Sequence, residues 1–528
     1  MKKKLPVGIQ SFSKLRTNGF VYVDKTEHIY KMIDDGSSIY FLSRPRRFGK
    51  SLLVSTLDAL FSGRKELFEG LYIYDKWDWT QPHPVIRLDF GSIANNTSEA
   101  LSNSLADFVK EVATKHRITI EKTELPDKFA ELIKKIALSS GKQVVVLVDE
   151  YDKPIIDHLS NPETLDANKS ILHDFYQVLK ASDDYIKFIF LTGVSKFSGL
   201  SVFSALNNLD DITLNMDYGS ICCYTQEELE SYFSEYIDIV ARDNSLSTSE
   251  LLDRIKVWYT GYSWDGKASV YNPFSTLSFF RNREFNNYWF RTATPTFLIE
   301  ILKKRDQLEP VLRPVEVGSG SFDSYDPLCI NEIPLLFQTG YLTVKRKESS
   351  LGTPQYTLGI PNEEVRKSFL EHLVNAYSHY PVERMQRLIA DMQKQIRAGD
   401  ASALEQNLRL LLAHIPNILH VENEKYYHSL FLLLMRTLGF DIHGEVLTNI
   451  GRIDAVWRQS ELTVVAEVKY HAEKSIESLL GEAMSQICDR KYYEAYLDRE
   501  VMLMAVAFAG KEVKCSLKKV GSPDEAGL

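Results

Sequence analysis

Residues 143–150 read QVVVLVDE: an unbroken apolar run, mostly valine, closed by two acids. A strand with one wet face alternates apolar and polar residues. A run without alternation is buried on both faces, as in a parallel sheet covered by helices above and below. Ser38–Ser43 and Ile186–Leu191 have the same character, and Val85–Phe90 is a further strand candidate. Helical periodicity fills the intervals at 51–61, 97–140 and 168–181. Strands alternating with helices predict an α/β domain with a parallel sheet over residues 1–225.

Two of these strands end in chemistry. The first runs into Arg44-Pro-Arg-Arg-Phe-Gly49-Lys50-Ser51. The phosphate-loop pattern is GxxxxGK[ST], so Gly49, Lys50 and Ser51 fit while Arg44 stands where the first glycine belongs. Backbone N–H groups and the N-terminus of the following helix would face phosphates. Lys50 would reach the β- and γ-phosphates and the Ser51 hydroxyl would ligate Mg²⁺. At the end of the valine run, Asp149 would hold Mg²⁺ and Glu150 would orient or deprotonate the attacking water. Phe48, Arg46 and Arg47 complete the candidate ATP-binding loop, the two arginines as phosphate contacts or as surface charge. Because arginine adopts positive φ less cheaply than glycine, Arg44 predicts a loop of different shape. Thr192 and Ser195 follow the strand at 186–191, where a polar contact to the γ-phosphate would be expected.

After residue 225 the pattern turns helical, and 226–420 is expected as a middle region. A hairpin is expected there from Gly340–Lys345 and Gln355–Leu358, giving a winged-helix-like unit. Residues 313–327 read as a loop. From 421 the order becomes helix (424–438), strands at 442–447, 452–458 and 462–470, helix (475–497), strand (501–509). This is a compact α/β unit of its own.

That last unit carries a second constellation. Asp454 lies in one strand, and Glu467 and Lys469 lie two apart in the next, so Glu467 and Lys469 share a face. Two carboxylates and a lysine converging on one spot suit phosphodiester hydrolysis. Carboxylate oxygens bind Mg²⁺, with Mn²⁺ as an alternative, and the lysine steadies developing charge. Glu445 would complete the acidic shell and Gln486 would hydrogen-bond nearby, with Tyr492 or Tyr493 as weaker candidates. An exposed hairpin with an ion-paired face is the plainer alternative. His414, His420, His428, His443 and His471 lack zinc-site spacing and read as structural or surface residues.

Bulk properties narrow the classes. The apolar runs fall short of the about 18 residues of a membrane span. The basic start, Met1–Lys4, is followed by no apolar stretch of the kind a secretory signal needs. Five cysteines with no CxxC fit a reducing cytoplasm. The net charge of −9, and 14 Lys+Arg against 18 Asp+Glu in 401–528, mean that any DNA binding uses local patches or metal.

Several motifs together resemble a known family. LPVGIQSFSKLR (5–16), YVDKT (22–26), FLSRPRRFGKSLL (41–53), VVVLVDEYDKP (144–154) and FLTGVSKFS (190–198) look like the bacterial AAA-ATPase-like proteins fused to a PD-(D/E)xK nuclease domain. WYTGY (258–262), YNPFS (271–275), FQTGYLTV (337–344) and IPNEEV (360–365) continue the likeness. GRID (451–454), AEVK (466–469) and QICDRKYY (486–493) close it. The resemblance implies that Arg44 is the family's form of the loop. It also implies that Lys50, Ser51, Asp149 and Glu150 serve nucleotide and Mg²⁺. Asp454, Glu467 and Lys469 match the nuclease core, with Glu445 and Gln486 flanking, in a restriction-endonuclease-like α/β domain. The expectation is an ATP-regulated nuclease acting on DNA rather than RNA, suited to defence or mobile-element biology. Rings in which a neighbour donates an arginine are common among AAA-like ATPases, so a homo-oligomer or a protein partner is in keeping. The rival is a nucleotide-dependent binding switch that docks nucleic acid or protein without cutting.

Overall fold

The computed structural model describes residues 3–528 apart from 198–205, 207, 291–297, 300, 301, 303–313, 319, 321–330, 351, 352, 379, 414–423, 438–440, 449, 450, 460, 461, 472, 473, 498, 510, 511 and 521–528. At 350, 382, 424–429, 441–448, 451–454, 458, 459 and 492 it describes the backbone alone. His414, His420 and most of the loop expected at 313–327 lie outside the described residues, as do the side chains of His428 and His443. The chain divides into two compact units, residues 1–293 with 316–364, and residues 294–315 with 365–528. The segments 226–293 and 316–364 thus belong with the first sheet, and 365–420 with the C-terminal one.

The first unit is built on a sheet of β1 (Ile39–Ser43), β2 (Val85–Asp89), β3 (Val144–Asp149), β4 (Ile186–Gly193) and β5 (Asp210–Asp211). The spatial order is β2-β3-β4-β1-β5, and the pairings are parallel. Every residue of β1 and β3 is buried, as unalternating runs require. Helices Lys50–Phe61, Ser98–Lys115, Leu125–Ser140 and Pro162–Ala181 connect the strands. The expected strands and crossover helices are all present, and the short β5 is an addition.

Helices Gln226–Asp243, Thr248–Tyr259 and Pro273–Asn282 follow, the first two each opened by a capping box. Their apolar faces share a core with Val21 and Val23 near the N-terminus. Lys25 ties this packing down through a partly buried ion pair to Glu228, 2.6 Å. β6 (Val315–Gly318), β7 (Thr343–Ser350) and β8 (Thr353–Gly359) form a small sheet in the order β6-β8-β7. β7 and β8 are the expected hairpin, and helix Glu332–Thr339 precedes it.

The WYTGY and IPNEEV segments dock on one another. Asn362 Nδ2 donates to the Thr260 carbonyl at 2.8 Å. Gly261 has φ +98, and a Cβ there would overlap the Pro361 carbonyl oxygen. Gly261→Ala is therefore expected to destabilise this unit by about 3 kcal/mol, the upper end of ordinary substitutions. Its melting temperature in calorimetry checks this; an unchanged transition would contradict the packing.

The second unit carries a five-stranded sheet of order β13-β12-β11-β10-β9. Its strands are β9 (Asp441–Thr448), β10 (Gly451–Gln459), β11 (Leu462–Tyr470), β12 (Glu500–Ala509) and β13 (Glu512–Val520). β11 and β12 run parallel, and the other neighbours run antiparallel. The long helix expected at 475–497 stops at Asp489, because Lys491 turns left-handed (φ 49) and a 3-10 turn, Tyr492–Tyr496, follows. The edge strand β13 was not anticipated.

Candidate functional site

The phosphate loop joins β1 to the helix Lys50–Phe61, at the carboxyl end of the parallel sheet. The left-handed positions it needs fall on Arg47 (φ 69) and Gly49 (φ 98). Arg44 has no positive φ, which resolves the difficulty its identity raised: the turn has moved along the loop. Arg44 is instead fully buried. Its guanidinium donates to the carbonyls of Ser43 (2.8 Å), Thr213 (2.9 Å) and Tyr218 (3.1 Å) and lies over the Trp264 ring. A charge spread over three carbonyls and an aromatic face holds the loop base as glycine could not.

The rest of the loop is gripped by the family-like motifs downstream. Phe48 is buried edge-on against Tyr262 and Trp264, so its side chain packs rather than lining the cleft. Trp289 Nε1 donates to the Arg46 carbonyl at 2.9 Å. A Cβ on Gly340 would meet Pro45 at 2.8 Å, which explains the glycine of FQTGY. Arg46 and Arg47 are exposed, and Arg47 lies over the Phe274 ring, 5.0 Å away.

Lys50, Ser51, Asp149 and Glu150 come together. Lys50 is only 7% exposed, and its ammonium donates to the carbonyls of Arg44 (2.9 Å) and Pro45 (3.0 Å). Burial lowers its pKa, opposed by Asp149, Asp152 and Glu150. Asp149 is 1% exposed; burial raises its pKa, against the Ser51 hydrogen bond and the Lys50 charge. Burial also raises Glu150, reinforced by Asp149. Glu150 has φ 53, a left-handed conformation that costs a non-glycine residue strain of the kind found at functional sites. The Ser51 hydroxyl and Asp149 carboxylate are a hard oxygen pair of the kind Mg²⁺ takes.

Lys50, Ser51 and Glu150 line a cleft of about 370 Å³, and Asp149 is buried next to Glu150. Arg46, Arg47, Gly49, Lys50 and Ser51 line its phosphate side. Pro6, Ile9, Tyr224, Phe274 and Leu277 supply apolar wall. Its size falls within the roughly 300–1,000 Å³ of ligand pockets.

Two residues read differently in three dimensions. The Thr192 hydroxyl donates to the Leu42 carbonyl at 2.7 Å, so strand pairing uses it. Spacing gave no hint of Asp152. It is buried at the back of the cleft, where Oδ2 accepts the N–H groups of Val194 (2.9 Å) and Ser195 (2.6 Å). Burial pushes its pKa up to about 6. Gly193 lacks a Cβ because one would overlap Asp152. The last acid of DEYD thus pins the strand end that carries Thr192 and Ser195.

In the second unit, β10 pairs Ala455 with Ala466, and Val456 with Val465. One step further along this register, Asp454 stands opposite Glu467. On its other side β9 pairs Ile453 with Val446 and Ala455 with Gly444, so Glu445 stands opposite Asp454. Three carboxylate residues therefore occupy one row across three neighbouring strands. The side chains of Glu445 and Asp454 lie outside the described residues. Glu467 is 1% exposed and accepts from Lys469 Nζ at 3.0 Å. Its face also carries Val465, which packs with Val456, Leu503 and Ile487 of the helix Ile476–Asp489. Gln486 is half-buried on that helix, beside Ile487. Tyr493 packs against this apolar cluster, and the Tyr492 side chain is outside the described set. Among the described residues no group of three His, Cys, Asp or Glu forms a metal cluster, and no helix is long and apolar enough to cross a membrane.

Comparisons with known proteins agree with this division. The family described as "Predicted AAA-ATPase" (AAA-ATPase-like) matches residues 6–203. The PD-(D/E)XK nuclease superfamily matches residues 422–517. A protein of Azotobacter chroococcum mcd 1, described as "Uncharacterized protein in vnfD 5'region", is 38% identical over 519 residues, 96% of this chain and 97% of its own length. Among solved structures, a chain from "Structure of Drosophila ORC bound to AT-rich DNA and Cdc6" is 11% identical and covers 66% of this chain and 92% of that one. Its TM-score of 0.22 is too low to carry an argument about fold or ligand. The chain belongs to the AAA-ATPase-like family, and its C-terminal domain belongs to the PD-(D/E)XK nuclease superfamily.

Proposed function

We propose that the first unit binds and hydrolyses ATP with Mg²⁺, and that the second is a metal-dependent nuclease acting on DNA whose use of substrate depends on the nucleotide. The observation that carries the reading is the meeting of Lys50, Ser51 and Glu150 on one cleft at the carboxyl end of a parallel sheet, with the buried Asp149 beside Glu150.

On this reading Lys50 exchanges the Arg44 and Pro45 carbonyls for the β- and γ-phosphate oxygens. The helix N-terminus at Lys50 and Ser51 adds its N–H groups and dipole. Arg46 and Arg47, exposed beside the cleft, neutralise further phosphate charge, and the apolar walls take the base. Glu150 accepts a proton from the attacking water. Ser51 and Asp149 here, and Glu467, Asp454 and Glu445 in the second unit, would hold Mg²⁺, which would supply charge neutralisation to the phosphate, with Mn²⁺ an alternative at the latter. In the second unit Lys469 stabilises charge at the scissile phosphate and Gln486 hydrogen-bonds beside it.

The role of Glu150 gives a direct test. Because burial raises its pKa, turnover falls as pH drops through a value above the ordinary glutamate of about 4.3. Glu150→Gln is expected to bind ATP yet lose roughly 10²–10⁴-fold in turnover. ATP hydrolysis against pH, with binding measured separately, checks this. A Glu150→Gln enzyme with wild-type turnover would remove Glu150 from the mechanism.

The acidic balance of 401–528 favours a second reading, a nucleotide switch that docks a partner without cutting. Such a module has no use for the acid row, so Asp454→Ala would leave its binding unchanged.

A further inference from the structure

Glu364 is 0% exposed and has no part in the chemistry above. It sits in the first turn of the helix Glu363–Ser378, where an acid is ordinarily a solvated charge facing the helix dipole. Here it is enclosed. Oε1 accepts from the Trp289 backbone N–H at 2.7 Å, and Oε2 accepts from Ser275 Oγ at 2.7 Å. The Tyr288 backbone contributes as well.

Both partners lead to the nucleotide cleft. Ser275 belongs to the helix Pro273–Asn282, whose Pro273, Phe274 and Leu277 form a wall of the cleft. Trp289 gives its indole N–H to the Arg46 carbonyl in the phosphate loop. The next loop residue, Arg47, rests on Phe274 of the same wall helix. Wall and loop therefore meet twice, once at the open edge through Arg47 and once in the interior through a single carboxylate. Among the described residues, hydrogen-bond donors rather than cations hold that carboxylate, and burial pushes its pKa up to about 7. A buried acid is a costly way to pack two elements, since an apolar residue would fill the space without desolvating a charge. What the acid adds is two directed bonds with fixed geometry.

We infer that Glu364 is a positioning residue of the nucleotide cleft: by accepting from Ser275 and Trp289 together it holds the wall helix and the phosphate loop in one register, and so sets the affinity for a nucleoside triphosphate. The inference rests on the nucleotide reading of the cleft. It assigns IPNEEV and YNPFS, distant in sequence, to one device.

The test is titration of a fluorescent ATP analogue into the full-length protein. The chains compared are wild type, Lys50→Ala, Glu364→Gln, Glu364→Ala, Ser275→Ala, Trp289→Phe and the double variant Glu364→Gln/Trp289→Phe, with melting temperatures alongside. Glutamine keeps the shape but offers one acceptor where glutamate offers two. Glu364→Gln is expected to weaken binding about tenfold, as for one lost charge-assisted bond, and Glu364→Ala more. Ser275→Ala and Trp289→Phe weaken it less. The double variant loses less than the product of the single effects, because both cut the same linkage; general loosening would not give that coupling. A folded Glu364→Gln with wild-type affinity, or a double variant whose losses multiply, overturns the inference while leaving the nucleotide site standing. If Glu364→Gln does not fold, unchanged affinity in both Ser275→Ala and Trp289→Phe overturns it. Wild type that binds no nucleotide ends the cleft reading and the inference together.

Discussion

Lys50→Ala is expected to reduce ATP turnover by roughly 10²–10³-fold, the loss usual when one fixed donor to developing phosphate charge is removed. The ammonium is held at the loop by two carbonyls and surrounded by Asp149, Asp152 and Glu150, which oppose the effect of burial on its pKa. Alanine would leave the Arg44 and Pro45 carbonyls without that donor, so stability falls too, by about 1–3 kcal/mol. Turnover and melting temperature separate the effects: a large rate loss with a modest melting shift is the predicted pattern. Wild-type turnover in a folded Lys50→Ala chain would show that the cleft's lysine does not handle phosphate.

The second large effect belongs to the other unit. Lys469→Ala is expected to slow DNA cleavage by roughly 10²–10³-fold while leaving nucleotide affinity untouched. The Lys469–Glu467 contact of 3.0 Å is partly buried, with Glu467 almost wholly enclosed. Removing the lysine leaves a carboxylate that has lost a counter-charge, so some stability is lost as well. Glu467→Gln separates the two roles, since it keeps the volume but removes a negative charge from the acid row. Its cleavage is expected to fall to background, with weaker dependence on Mg²⁺ concentration. Initial rates on plasmid across a metal titration check both variants. Cleavage unaffected by either would mean that the row is a structural ion-paired face.

The parallel sheet was legible because its signal is local: Val144–Val148 has no alternation, and burial on both faces follows directly. The two acids that close the run, and the Gly49-Lys50-Ser51 turn, lie where strand-to-loop boundaries place them. Arg44 was harder to read. Its identity looked like strain until the left-handed turns appeared at Arg47 and Gly49, and its own value lies in three carbonyls and an indole that only folding brings near. Asp152 and Glu364 carry no periodic signal at all. Each is an acid in an acid-containing stretch, and only tertiary enclosure separates it from the half-buried acids nearby, Glu150 and Glu363. β13 was missed for a different reason. Val513 and Cys515 alternate with half-buried Lys514 and Ser516, a readable strand pattern that its lysines obscure. The helix at 476 was overextended because nothing in the periodicity announces the turn at Lys491.

The most direct measurement of the central claim is cleavage of supercoiled plasmid in Mg²⁺ or Mn²⁺ by wild type, Asp454→Ala and Lys50→Ala, each with and without ATP. The account predicts cleavage by wild type, none by Asp454→Ala, and an altered ATP response in Lys50→Ala. Absence of cleavage by wild type under every condition, with nucleotide bound, would contradict a DNA nuclease governed by the cleft.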